Sequence, residues 1–98
     1  MTGQWRIWKY TIPVTDVVVI KVPEGARFLP FVASQAPGTL SLWAEVDPAS
    51  GPEERRTVLV IGTGNSAGDV GRYIGSALDG AFVWHVYEGR DNSGDGSR

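Results

Sequence analysis

Glycine and proline decide what this chain can become. Thirteen glycines and six prolines, almost a fifth of the 98 residues, cut it into short runs. Between the cuts stand Val, Ile, Trp, Tyr, Phe and Thr, the residues that fit a pleated, half-buried surface. The runs are 4–11, 16–22, 26–34, 39–46, 55–61, 72–78 and 81–88. Strands this short and this numerous predict an all-β fold, about seven mainly antiparallel strands in a small sandwich or barrel.

The joints carry turn chemistry. Pro23-Glu24-Gly25 sets proline at a turn entry and glycine where a positive φ is needed, and Ala36-Pro37-Gly38 repeats the device. The gap at 47–52 holds Pro48 and Pro52, neither able to donate to a ladder, and reads as a surface loop. Asp79-Gly80 parts two apolar runs and predicts a hairpin with a type I′ turn, both residues at positive φ.

Alternation assigns faces. Leu40, Leu42, Ala44 and Val46 share one face of the fourth run, with Ser41, Trp43 and Glu45 on the wetter side. In the last run Phe82, Trp84 and Val86 form the expected core set, and Val83, His85 and Tyr87 make the second face apolar too. Such a strand is central in its sheet or meets another chain. Trp5 and Trp8 fall on opposite faces of the first run, one expected in the core and one at an interface. Residues 1–88 are expected to form a single β domain. Residues 89–98 contain no apolar side chain and are expected to be a disordered tail.

Composition removes several functions. There is no cysteine and one histidine, so no disulfide framework, thiol nucleophile or metal site is expected. The net charge of −2 with no basic block argues against bulk nucleic acid as a partner. The apolar stretches 17–20 and 58–61 are far too short to cross a bilayer. The first ten residues lack the basic start and apolar run of a signal peptide. A chain of this size buries only about 60–68% of its unfolded surface, and four tryptophans overfill so thin a core. A homo-oligomer is therefore expected.

The stretch Thr57-Val-Leu-Val-Ile-Gly62-Thr63-Gly64-Asn65-Ser66 reads two ways. As the start of a nucleotide-binding βαβ unit, an apolar strand would deliver Gly62 and Gly64 to a pyrophosphate, with Glu88 meeting the ribose. Against this, the third glycine is displaced to Gly68. The helix that should follow contains Gly68, Gly71, Gly75, Tyr73 and Ile74. The preferred reading is a glycine-rich turn between strands, with a backbone N–H nest for a compact anion as its functional variant.

Taken together, Trp8-Lys9-Tyr10, Pro23-x-Gly25-Ala26, Leu40-x-Leu42-Trp43-Ala44-x-Val46-Asp47-Pro48, Gly62-Thr63-Gly64, Tyr73-Ile74-Gly75 and Phe82-Val83-Trp84-His85-Val86-Tyr87-Glu88 resemble one family. It comprises small bacteriophage proteins of unknown function, especially from phages of actinobacteria. Ser66-Ala67-Gly68 departs from the proline-containing continuation usual there. The resemblance implies a phage origin and a place in the host cytoplasm, and no particular activity.

The candidate ligand-binding residues are Trp43, Arg55, Gly62, Thr63, Gly64, Arg72 and His85. Arg55, Arg56 and Arg72 flank the glycine turn in sequence and would close an anion site bidentately, unless Glu53-Glu54-Arg55-Arg56 is only a solvated charge cluster. Trp43 would stack on a base or anchor a partner, or equally pack under the proline loop. His85 stands without a carboxylate or cysteine partner, so a structural or interface role precedes ligand contact, and catalysis comes last. The leading expectation is a non-enzymatic accessory protein, without cofactor or metal, that binds a host component. A host protein held by an aromatic patch is favoured over a small nucleotide-like ligand. The alternatives are a nucleotide-cofactor enzyme using the Gly62 turn and a self-assembling structural component of the phage.

Overall fold

Every run becomes a strand. The computed structural model describes residues 4–90. Its strands are β1 (Arg6–Pro13), β2 (Val17–Pro23), β3 (Arg27–Ala33), β4 (Thr39–Val46), β5 (Glu53–Gly62), β6 (Val70–Asp79) and β7 (Phe82–Gly89). They form two sheets, ordered β1-β4-β3 and β2-β5-β7-β6, and every pairing is antiparallel. The glycine-rich segment that competes for a helix is strand β6, so no βαβ unit forms. Its Tyr73 and Ile74 suit a ladder, and its glycines weaken a helix. Among the described residues no helix is long and apolar enough to cross a membrane.

The core lies between the sheets. Phe28, Leu40, Leu42, Val46, Val58 and Val86 are fully buried there; truncating Phe28 to Ala would cost about 3–5 kcal/mol. Pro13 and Pro23 end edge strands and Pro30 sits in the irregular stretch of edge strand β3, places where a missing N–H costs no ladder bond.

One side of the sandwich is closed by β3 against β6. Gly75 permits that approach, since a Cβ there would lie 3.0 Å from Val32 Cγ2 and 3.2 Å from the Val32 backbone nitrogen. An ionic cluster fastens the same side. Arg56 donates to Ala26 O and Arg72 to Phe28 O, each at 2.7 Å. Glu88 stands between the two guanidiniums, 3.7 Å from each, and Glu54 meets Arg56 at 2.6 Å.

The turns obey their sequences with one correction. Ala26 N bonds Pro23 O and Thr39 N bonds Ala36 O, with Gly25 at φ 80° and Gly38 at φ 74°, the type II pattern. At the last hairpin Asp79 pairs with Phe82, so the loop is Gly80-Ala81 and not Asp79-Gly80. Only Gly80 has positive φ, 64°, which is the type II′ pattern and not type I′.

Three further expectations change. Phe82 is exposed, leaving Trp84 and Val86 on the core side of β7. Trp5 and Trp8 are both exposed, near the open end of β1. The domain boundary expected at residue 88 falls later: Gly89 pairs with Val70 and Arg90 meets Asp69 at 2.7 Å. The rest of the expected tail, 91–98, lies outside the described residues.

Candidate functional site

The slab measures 47 × 31 × 17 Å, so most of its surface lies on two broad outer faces. Their composition differs. The seven candidate residues divide between them and the interior.

Gly62, Thr63, Gly64 and His85 come together. Asn65 N bonds Gly62 O at 3.0 Å and Gly64 takes φ 92°, closing a tight turn after β5. The turn lowers Thr63 onto His85 of β7. Thr63 Oγ1 lies 2.8 Å from His85 Nε2, Ser76 Oγ lies 2.8 Å from Nδ1, and Tyr73 OH lies 2.6 Å from Ser76 Oγ. A neutral ring fits this chain with its protons running one way: Tyr73 donates to Ser76, Ser76 to Nδ1, and Nε2–H to Thr63. The Thr63 hydroxyl is then free to point at Val83 O, 3.5 Å away. Both ring nitrogens are thus occupied by hydroxyls, and no carboxylate orients the imidazole as in a catalytic triad.

The arginines are elsewhere. Arg55 lies seven residues back along β5 from Gly62, about 23 Å at ~3.3 Å per residue, on the outer face where its backbone pairs with Lys21. Arg56 and Arg72 are held by Glu88 and by the backbone of 26–28, as described. The cluster thus replaces the anion site expected from Arg55, Arg56 and Arg72, because strand parity turns Arg56 inward while Arg72 reaches the edge of β3.

Beside the turn, a cleft of about 460 Å³ is lined by Thr15, Asp16, Asn65, Ser66 and Trp84 among others. Its only charged side chain is Asp16, which is chemistry that repels a phosphate. A smaller hollow of about 240 Å³ on the other side of the turn reaches His85 and Tyr87.

Trp43 belongs to the opposite face, that of β1-β4-β3. It is half-buried beneath Phe31, with ring centroids 5.4 Å apart, so its cover comes from β3 and not from the proline loop. Phe31 is 59% exposed and Ile7 60%. The rim is polar. Arg27 bonds Glu45 at 2.9 Å, and Lys9 bonds Gln35 at 3.0 Å.

The sequence reading missed Phe31, Tyr73 and Ser76. Two extra residues between Phe28 and Val32 carry Phe31 onto Trp43. A one-residue shift between Tyr73 and Gly75 places Tyr73 and Ser76 on one face despite their odd spacing. No simple alternation reveals such pairs.

The family comparison agrees with the sequence likeness at its coarser level. Comparison with curated proteins and with solved structures found no match. Residues 4–96 match the family described as Domain of unknown function (DUF7352), and the chain belongs to it.

Proposed function

We propose that this protein is a phage-encoded, non-enzymatic binding module that engages a host protein in the host cytoplasm. The observation that carries the reading is the Phe31–Trp43 pair, with exposed Ile7 beside it and the Arg27–Glu45 and Lys9–Gln35 pairs around it. Aromatic anchors inside a polar rim are the arrangement that concentrates binding energy at protein interfaces. Phe31 covers one side of Trp43 and limits its rotamers, which reduces the side-chain entropy lost on docking.

The nucleotide-like ligand draws less support. The guanidiniums of Arg56 and Arg72 are engaged by Glu88 and backbone carbonyls, and the cleft by the glycine turn offers Asp16 instead of a cation.

The test is a photocrosslinking amino acid at position 7 of the full chain in host lysate, with position 19 on the opposite face as control. The reading expects a discrete host protein joined from position 7 only. The purified partner should bind Phe31→Ser at least tenfold more weakly, a loss on the scale of one aromatic anchor. Equal binding by Phe31→Ser, or crosslinks indifferent to position, would refute it.

A further inference from the structure

The outer face of β2-β5-β7-β6 has a different character, and we infer that its occupant is a second copy of this chain. Pairing across the sheet sets Val17, Leu59, Tyr87 and Tyr73 in one row, with Ile61, His85 and Ser76 in the next. Val19 and Thr57 lie beyond one side, Val83 and Leu78 beyond the other. Tyr73 and Tyr87 touch, their centroids 5.2 Å apart. Val17 is 54% exposed, Val19 55% and Leu78 66%. In one sheet this amounts to an outer surface built like half of a core.

Three features select a second copy over other occupants. First, the centre of the face carries no charge. Lys21 and Arg55 sit together at one end, so two such faces meet without opposing ions. Second, the polar groups of the His85 row are already satisfied within the chain: His85 holds Thr63 and Ser76, and Ser76 holds Tyr73. Covering that row with apolar side chains leaves none of these groups unpaired. An isologous contact needs a surface that suits itself, and a neutral, internally bonded, mainly aliphatic sheet does.

Third, the size is sufficient. Four strands ~4.8 Å apart and a length of about 25 Å give a footprint of about 500 Å² per copy. That makes about 1,000 Å² in all, at the threshold for a specific interface. Two twisted sheets stack face to face about 10 Å apart in ordinary sandwiches. The dimer repeats that packing between chains.

The experiment is sedimentation equilibrium of the full chain from about 1 to 200 µM, with two variants, the combined Val19→Lys, Leu78→Lys chain and Phe31→Lys. Val19→Lys and Leu78→Lys alter side chains already more than half exposed in the single chain, so each protomer should keep its fold, checked by near-ultraviolet circular dichroism. The unmodified chain is expected to dimerise, the combined variant to do so about 100-fold more weakly or not at all, since it buries unpaired charge. Phe31→Lys on the opposite face should dimerise normally. A monomeric unmodified chain at 200 µM would overturn the inference. So would dimers that persist undiminished in the folded Val19→Lys, Leu78→Lys protein.

Discussion

At the scale of single residues, Glu88 shows how partners change a side chain's meaning. Its sequence position after an apolar strand suggested a ribose ligand; the structure buries it between Arg56 and Arg72. Glu88→Ala leaves two guanidiniums facing each other, though Arg56 keeps Glu54 and Arg72 stays half exposed. A loss of about 1–3 kcal/mol is expected, below that of a fully buried pair, and urea titration measures it. Tyr10 makes the opposite case. Its hydroxyl is buried with no protein partner, while its ring packs edge-on against Phe28. Tyr10→Phe removes an unsatisfied group and keeps the ring, so a gain of up to about 1 kcal/mol is expected. Burial, and secondarily the Glu53 carboxylate, raises the phenol above its ordinary 10.0. The folded chain therefore holds this proton more tightly than the unfolded chain does. Stability from this source is complete below about pH 10 and falls as pH rises beyond it. Tyr10→Phe should flatten that alkaline decline in a melting series.

At the scale of elements, the sequence made the strands legible and left their irregularities hidden. Glycine and proline mark where ladders end, and so the runs match β1 to β7 closely. Thr39–Val46 matches to the residue. What escaped was the effect of bulges: two extra residues in β3 shift the register that sets Phe31 over Trp43, and one extra residue in β6 flips the parity that sets Ser76 beside Tyr73. The ion cluster was equally invisible, since Glu53-Glu54-Arg55-Arg56 does not announce which arginine turns inward. The candidate site was half legible, because the turn and His85 are joined by one antiparallel pairing, whereas Trp43 and the arginines were gathered by sequence proximity alone. Two glycines test the element scale separately. Gly80→Val forces a β-branched residue to φ 64° and should cost about 1 kcal/mol or more, while nothing crowds its Cβ. Gly75→Ala meets Val32 instead, including its backbone nitrogen, and should cost about 1–3 kcal/mol through overpacking where β6 crosses β3. Equal melting temperatures for wild type and Gly75→Ala would mean that the two strands part more easily than their packing implies.

At the scale of the whole molecule, the two proposed contacts fall on opposite outer faces. If β2-β5-β7-β6 faces its own copy, the β1-β4-β3 sheets of a dimer point in opposite directions and present two Phe31–Trp43 patches to partners. This arrangement has a thermodynamic signature that needs no partner. A dimer that forms only from folded chains draws the unfolding equilibrium toward the native state by mass action, so the melting temperature depends on protein concentration. For a chain of 98 residues, each kcal/mol of stabilisation moves Tm by roughly 4–8 °C. A hundredfold increase in concentration above the dissociation constant contributes about 1.4 kcal/mol per chain, half of the ~2.7 kcal/mol that the same factor gives a simple ligand. The unmodified protein should therefore melt about 5–10 °C higher at 200 µM than at 2 µM. The Val19→Lys, Leu78→Lys variant should lose most of that concentration dependence, because its dimer is at least about 100-fold weaker. Phe31→Lys should retain the full concentration dependence while losing the host partner, and that separates the face that pairs the chains from the face that binds.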